Sequence, residues 1–254
     1  MPIPSTNSRL KRIGLKAAAT VGAAAAVAMS VGPALAETQV SPGTDDPPIS
    51  FQAEAPPSPT DESPEKEFTD AAAVVNQYWT DHFTGYFGGS YTPPELLPGS
   101  SVGVPGIYDS DVEGVTCGQE IIPPLNAIYF IPGDFLVADD NLLQLQHEIG
   151  DSFVWFVLAH EWGHAIQNRL QPQYVPQWKE LQADCFAGAA LAGAAADGTL
   201  RWENGDSQEL FNALDLVADQ TPWTTTSDHG DTSQRVEWFT HGVANDPLDC
   251  LPQQ

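Results

Sequence analysis

Residues 160–164 of the chain form a His-Glu-x-x-His motif, which lies within an apolar stretch. Residues four positions apart lie on one face of a helix, so His160 and His164 can bind the same metal ion. Glu161 faces the same open side, where it can accept a proton from a metal-activated water. Apolar residues on most sides of this helix predict that it is buried in the centre of a domain. Buried histidines need partners, and a metal ion would supply them.

A motif this short also arises by chance, and a zinc peptidase needs a third protein ligand while leaving one position to water. Glu180 is the best candidate, because its position 16 residues after His164 allows the first helix to end, turn and be followed by a second helix packed against it. Asp184 lies one turn further on the same face, where we expect it to accept the free N–H of a zinc-bound histidine. The open alternative is that Glu180 and Asp184 belong to an exposed acidic face.

Three blocks of sequence resemble the neutral zinc metallopeptidase family of bacteria. They are Ala-His-Glu-x-Gly-His-x-x-Gln from residue 159, Glu-Leu-Gln-Ala-Asp-Cys from residue 180, and a His-Gly block with Gln-Arg-x-x-Trp-Phe from residue 229. They occur in the family's order, and the resemblance covers about Phe68 to Gly242. It implies a zincin-like domain with a gluzincin-like site and one zinc ion per chain. The residues it implies are His160, His164 and Glu180 as ligands, Glu161 as general base, and Asp184 as the partner behind the ligands.

Two further polar residues have predicted roles. His229 lies in a Gly-containing loop before a helix, with Asp228 and Asp231 nearby to keep it protonated. We interpret it as a catalytic residue that stabilises the oxyanion of the transition state, with a loop hydrogen bond as the alternative. Arg235 is predicted to form a structural ion pair. The histidines without ligand spacing are predicted to be surface or packed residues: His82, His147 and His241.

The first part of the chain has the pattern of a targeting segment. Residues 1–36 contain four basic residues, an apolar run too short to span a membrane, and an Ala-Leu-Ala cleavage motif. We therefore predict a Sec-type signal peptide cleaved after Ala36, a secreted or cell-envelope protein, and no stable membrane insertion after cleavage. Residues 37–66 are rich in proline and acidic residues, which predicts an extended linker. Residues 67–254 then form one metallopeptidase domain.

The chain is strongly acidic, with 9 Lys and Arg against 34 Asp and Glu and a net charge of −25. Cleavage after Ala36 would make it more negative, because four basic residues precede the cut. This charge argues against nucleic acid and anionic membranes as partners, and leaves a peptide or protein substrate. General solvation of a secreted surface explains the acidity without any specific partner.

Periodicity predicts an α+β fold that is mostly helical, with a small strand region beside the active-site helix. Asp151 or Ser152, and Asp231 or Thr232, are the predicted N-caps of two helices. Small residues from 183 to 193 predict that one helix packs very closely against a neighbour, with Gly163 permitting the approach. The predicted helices cover residues 69–83, 141–148, 151–169, 177–196, 207–218 and 232–243, with a strand near 127–131.

Three cysteines are present, and export permits a disulfide. Cys185 is on the predicted buried helix, where we expect a packed free thiol. The predicted pair is therefore Cys117 with Cys250. Members of the resembling family carry a second cysteine in the strand that corresponds here to residues 128–132, and this chain has none there.

These observations predict a secreted zinc-dependent peptidase, in which Glu161 is the general base for a zinc-activated water. The alternative is a non-catalytic zinc-binding or regulatory envelope protein on the same fold. Glu161 argues against that alternative, because metal binding alone does not require a base beside the ion.

Overall fold

Helices provide most of this computed structural model, which describes residues 62–220 and 229–253. The predicted helix at residues 151–169 is confirmed at both ends, and the others shift by a few residues. The predicted signal peptide lies outside the described residues. Six helices are present in the described part: α1 (Pro64–Phe87), α2 (Asp140–Ile149), α3 (Asp151–Arg169), α4 (Lys179–Ala196), α5 (Asp206–Leu216) and α6 (Thr232–Ala244).

The first helix begins earlier than the sequence pattern predicted. Ser63 is its N-cap and accepts a hydrogen bond from the backbone N–H of Lys66, and Pro64 occupies the first turn, where its missing N–H costs nothing. Residues 64–66 therefore lie within α1, whereas the predicted linker extended to residue 66. Residues 37–61 of that linker lie outside the described residues.

A small sheet lies beside the helices, so the predicted α+β class is confirmed. Its central strand is β6 (Phe135–Asp139), which pairs in parallel with β1 (Glu95–Leu96) and β2 (Ile107–Tyr108). On its other side β6 pairs in an antiparallel register with β5 (Ala127–Phe130), which contacts α3. The strands β3 (Thr116–Cys117) and β4 (Glu120–Ile121) form a separate hairpin.

The helix α3 lies at the centre of the core, as its apolar pattern predicted. It contacts α1, α2, α4, α5 and β5. Phe153, Phe156 and Ile166 are at most 1% exposed, because neighbours cover the helix on most sides. Within the described residues no helix combines the length and apolarity needed to cross a membrane.

The helix α4 packs very closely against α3 on one side and α6 on the other. A Cβ atom added at Gly163 would lie 2.8 Å from the carbonyl oxygen of Ala183. A Cβ at Gly188 would lie 2.1 Å from the carbonyl oxygen of Phe239, and one at Gly242 would lie 1.9 Å from that of Cys185. The predicted close helix packing is thus confirmed, and glycine is required because the neighbours are backbone atoms.

The two predicted N-caps have different outcomes. Asp231 caps α6 in a capping box with Gln234, as predicted. Neither Asp151 nor Ser152 caps α3; both lie inside the helix, and Gly150 precedes it with φ +154°. The backbone N–H of Ser152 donates both to Oδ1 of Asp151 at 2.8 Å and to Oε2 of Glu209 on α5 at 3.2 Å.

We expect Gly242→Ala to destabilise the protein by about 1–3 kcal/mol or more, because the added methyl group meets the backbone of α4. Gly85→Ala is the matched control, since Gly85 is an exposed glycine of α1 with no atom within 4 Å of an added Cβ. That substitution should stabilise by about 0.5–1 kcal/mol through helix propensity. Thermal and urea unfolding would measure both, and equal effects would contradict the packing argument.

Candidate metal centre

Two helices bring the three predicted ligands together. His160 and His164 come from α3, and Glu180 comes from the first turn of α4. The Oε2 atom of Glu180 lies 3.4 Å from Nε2 of His160 and 3.2 Å from Nε2 of His164. Nitrogen and oxygen ligands at about 2.0–2.1 Å in a tetrahedral zinc site lie roughly 3.3 Å from one another. The three side chains therefore fit a zinc ion.

Both imidazole rings are oriented through their second nitrogen. Nδ1 of His160 lies 2.8 Å from Oδ1 of Asp184, and Nδ1 of His164 lies 3.0 Å from Oε1 of Gln167. These contacts leave both Nε2 atoms directed towards Glu180. Carboxylates and amides behind a ligand imidazole fix its tautomer and ring angle. Asp184 thus occupies the position that the sequence predicted.

A buried ion pair supports His160 from behind. Arg235 on α6 donates from Nε to Oδ2 of Asp184 at 2.9 Å and from Nη2 to Oδ1 at 2.7 Å. Asp184 is 0% and Arg235 2% exposed, so each charge is compensated where water is absent. Arg235 also donates to the carbonyl oxygen of Val217. The predicted structural ion pair of Arg235 is confirmed.

A chain of buried amides supports His164, and the sequence reasoning missed it. Gln167 donates to the carbonyl oxygen of Lys179 at 2.6 Å and to Oε1 of Gln182 at 3.1 Å. Gln182 in turn donates to the carbonyl oxygen of Cys250 at 3.0 Å. The available signal was that Gln167 follows His164 by three residues on one helix, so their side chains are neighbours.

The disulfide joins Cys185 to Cys250, so the predicted pair of Cys117 with Cys250 is wrong. The C-terminal turn at residues 247–250 packs against α4, which brings these two Cα atoms to 5.7 Å. Cys117 lies on β3 as a partly buried free thiol. The expectation that Cys185 is a free thiol failed because its partner is distant in the sequence.

Glu161 lies next to the three ligand residues. Its Oε2 atom accepts a hydrogen bond from the backbone N–H of Tyr129 on β5 at 2.8 Å. Burial raises the pKa of Glu161 above its usual value, and the nearby charges of His164 and His160 offset part of that shift. A carboxylate with a raised pKa is a better proton acceptor near neutral pH.

Interactions with neighbouring charged and polar groups outweigh burial in shifting the pKa values of the other site residues. Burial alone would lower the pKa of His160, but the charge of Asp184 and hydrogen bonds with Asp184 and Glu180 raise it to about 9. Burial would raise the pKa of Glu180, whereas hydrogen bonds from the two histidines lower it well below its usual range. The charge of Arg235 similarly overcomes burial and lowers the pKa of Asp184.

His229 lies at the same cleft but farther from the ligands, and its ring is half exposed. Its backbone N–H donates to Oδ2 of Asp219 at 2.6 Å, and its Nδ1 lies 3.7 Å from Oδ1 of that residue. Asp231 caps α6 instead of pairing with His229, so that part of the prediction is wrong. Asp228 lies outside the described residues.

The site opens into a cleft of about 660 Å³. The strand β5 forms one wall, and among the described strands only β6 pairs with it, so its edge beside α3 is free. Both polar and apolar groups line the cleft, among them Ile128, Tyr129, Asn168, Leu170, Val175 and Lys179.

The remaining histidines lie away from this cleft, as predicted. Nε2 of His82 is 2.7 Å from Asp197, and Nδ1 of His147 is 3.0 Å from Glu67. His241 is exposed on α6. Each has a local role in packing or at the surface.

Comparison with known proteins finds relatives but no family assignment. The chain is 29% identical to the uncharacterized protein YpfJ of Escherichia coli strain K12, over 76% of this chain and 72% of that protein. It is also 29% identical to the uncharacterized protein Rv2575 of Mycobacterium tuberculosis, over 61% of this chain and 64% of that protein. No protein-family model and no solved structure matches the chain.

The raised pKa of His160 predicts a pH dependence for the metal-free protein. Because its folded pKa of about 9 exceeds the ordinary histidine pKa of 6.5, its stabilising contribution is complete below pH 6.5 and is lost as pH rises through about 9. The loss should be on the order of 3 kcal/mol. Thermal unfolding in chelator from about pH 6 to pH 10 would measure it. His160→Asn should remove this loss of stability between about pH 6 and pH 10. An unchanged pH dependence in that variant would contradict its attribution to His160.

The disulfide predicts a large loss of stability on reduction. It closes a sequence separation of 65 residues, for which chain entropy gives about 3–4 kcal/mol of stabilisation. We expect Cys185→Ala combined with Cys250→Ala to lower the free energy of unfolding by that amount, measured in urea. Cys117→Ala is the control and should change it by less than about 1 kcal/mol. A larger loss of stability in Cys117→Ala than in the double variant would instead support a disulfide that contains Cys117.

Proposed function

We propose that this protein is a zinc-dependent peptidase with a zincin-like fold, related to the neutral zinc metallopeptidases of bacteria. One observation carries the proposal: Nε2 of His160, Nε2 of His164 and a carboxylate oxygen of Glu180 converge at one wall of an open cleft, beside Glu161. Two imidazoles and a carboxylate are a donor set of catalytic zinc sites, which leave one position for water or substrate.

The chain's own residues would hold one zinc ion through His160, His164 and Glu180. When bound, zinc supplies Lewis acidity, which polarises a carbonyl group and lowers the pKa of a coordinated water. Asp184 and Gln167 hold the Nδ1 atoms of the two imidazoles, so that Nε2 of each ring would face the ion. Glu180 has a strongly lowered pKa, so it is ionised and ready to bind a cation across the physiological range.

Glu161 is the proposed general base. It accepts a proton from the attacking water and passes it to the leaving amine. The backbone N–H of Tyr129 fixes one carboxylate oxygen, which leaves the other available for proton transfer. Burial raises the pKa of this carboxyl, which keeps the carboxylate basic enough for the transfer near neutral pH.

His229 is the proposed donor to the developing oxyanion. Its ring is half exposed at the cleft, and its Nδ1 lies 3.7 Å from Oδ1 of Asp219, so its Nε2–H would be the group that donates to the oxyanion. The competing interpretation is that His229 only orders the loop through its backbone bond to Asp219. Activity of a His229 variant distinguishes the two.

The shape of the cleft supports an extended peptide or protein as the substrate. The edge of β5 that no described strand pairs with offers the backbone groups of Ala127 and the carbonyl oxygen of Tyr129 to an extended chain, while the N–H of Tyr129 is bonded to Glu161. The strong negative charge of the chain argues against nucleic acid. We also propose that the protein acts outside the cytoplasm, after cleavage of residues 1–36; the Cys185–Cys250 disulfide supports an oxidising compartment.

The second candidate function is a non-catalytic zinc-binding or regulatory envelope protein. It would need the same three ligands but would have no use for Glu161. A partly buried carboxylate with a raised pKa and one backbone donor costs stability, and metal binding alone does not require it. The arrangement therefore favours hydrolysis.

The test combines elemental analysis with a peptide-library assay on the purified protein. We expect one zinc per chain in the parent and in Glu161→Gln, but much less in Glu180→Ala. Glu161→Gln should lower kcat by about 10²–10⁴-fold, as expected for loss of a general base. His229→Ala should keep its zinc and lower kcat by up to about 10³-fold.

Glu148→Gln is a matched control, since Glu148 is an exposed carboxylate at the end of α2. It should retain full zinc and full activity. Full hydrolysis by zinc-loaded Glu161→Gln would overturn the mechanism. Zinc binding without turnover of any peptide would favour the non-catalytic alternative, and a parent that cannot bind zinc would overturn both.

A further inference from the structure

A second cluster of carboxylates lies at the other end of α3, away from the proposed zinc ligands. Asp151 begins α3, and Asp206 and Glu209 belong to the first turn of α5. One carboxylate oxygen from each of the three lies within 4.8 Å of the other two. Asp206 is 9% and Glu209 only 2% exposed, so these are not solvated surface charges.

No cation in the described part of the chain compensates this cluster. Within residues 62–220 and 229–253, no lysine, arginine or histidine forms an ion pair with any of the three carboxylates. Arg201 is close by but is highly exposed and pairs with Glu203 instead. Burial, with repulsion from Asp151, raises the pKa of Asp206 to about 6. Burial, a hydrogen bond with Asp151 and repulsion from it raise the pKa of Glu209 to about 7.

Backbone donors satisfy only part of the cluster. The N–H of Glu203 donates to Oδ2 of Asp206 at 2.7 Å, and the N–H of Ser152 donates to Oδ1 of Asp151 at 2.8 Å and to Oε2 of Glu209 at 3.2 Å. These bonds hold the three side chains in place. They leave most of the negative charge of the cluster uncompensated.

An independent observation also points to a ligand, namely the hydroxyl group of Ser152. Ser152 is 2% exposed, and its Oγ has no hydrogen-bond partner. It lines a cavity of about 420 Å³ together with Asp151 and Asp206. It also lies close enough to Asp206 to lower the pKa of that carboxyl, although it forms no hydrogen bond of normal geometry with it. A buried hydroxyl without a hydrogen-bond partner, beside uncompensated carboxylates, forms a set of oxygen donors that suits a cation.

We propose that Asp151, Asp206, Glu209 and the hydroxyl of Ser152 form a binding site for calcium. All four donors are oxygens, which hard cations such as calcium prefer. Zinc more often binds nitrogen and sulfur ligands, so this donor set favours a hard cation. Oxygens at about 2.3–2.6 Å around calcium lie up to about 5 Å apart, which matches the spacing of the cluster. Calcium tolerates irregular geometry, and the cavity has room for the water ligands that would complete its shell.

The ion would fasten α5 to the first turn of α3. Glu209 already links the two helices by accepting a hydrogen bond from the backbone N–H of Ser152. A bound ion would strengthen this link, because it would offset the repulsion among the three carboxylates. This site does not depend on the proposed peptidase activity, because it shares no residue with the zinc ligands.

Terbium luminescence provides the direct test, since Trp155 and Trp202 line the same cavity and can sensitise a bound lanthanide. With excitation of tryptophan, we expect saturable emission from the purified zinc-loaded protein that calcium displaces. Calcium in excess should raise Tm by about 5 °C or more at neutral pH. Asp206→Asn should lower the affinity at least tenfold and remove most of the Tm shift.

Three variants distinguish binding at this cluster from binding at the zinc ligands or on the acidic surface. Ser152→Ala keeps all three carboxylates and should still weaken binding, so the test survives if Asp206→Asn folds poorly. Glu148→Gln changes an exposed carboxylate and should bind like the parent. Glu180→Ala should lose zinc but keep terbium binding, which separates failure of this site from failure of the peptidase proposal.

The opposing result is equally specific. If the carboxylates only share protons, calcium will change Tm of neither the parent nor Asp206→Asn, and no sensitised emission will be displaced by calcium. Emission of equal strength in the parent and Asp206→Asn would place the ion elsewhere on the acidic surface. Either result overturns the proposal.

Discussion

The close approach of α3 and α4 sets the geometry on which the candidate site depends. Gly163 leaves no room for a methyl group, because a Cβ there would lie 2.8 Å from the carbonyl oxygen of Ala183. At this backbone separation the first turn of α4 places Glu180 3.4 Å and 3.2 Å from the two imidazoles. A larger residue at position 163 would move the helices and the ligand atoms apart together, so packing and metal chemistry depend on one contact.

Charge compensation in the core then determines which residues can surround that contact. Asp184 orients His160 but is completely buried, so its charge requires Arg235, which α6 supplies from 51 residues away in the sequence. Removing one partner of such a buried pair costs about 3–5 kcal/mol in general, because the other charge stays uncompensated. The helix α6 is therefore held at the site by this ion pair as well as by the backbone contact at Gly242.

Sequence reasoning predicted the parts of this structure that depend on local pattern. The bounds of α3, the close packing through Gly163 and the positions of Glu180 and Asp184 follow from helical periodicity and spacing. It failed where residues distant in the sequence meet. Glu209 on α5 shares the N–H of Ser152 with Asp151, and Cys185 pairs with a cysteine 65 residues away. Such contacts depend on how α5 and the C-terminal turn pack, which periodicity cannot specify.

The two polar clusters on α3 have a common physical consequence. The helix is a 19-residue rigid element, and the first turn with Asp151 lies about 14 Å along its axis from His160. A catalytic arrangement must be held to about 0.5 Å, and the packing of α3 against α1, α2, α4, α5 and β5 provides most of that rigidity. The contact of Glu209 with the backbone N–H of Ser152 adds to this packing at the first turn of α3. Because the uncompensated carboxylates weaken that contact, the proposed cation would act on the candidate zinc site through the rigid helix, without contacting any of the proposed zinc ligands.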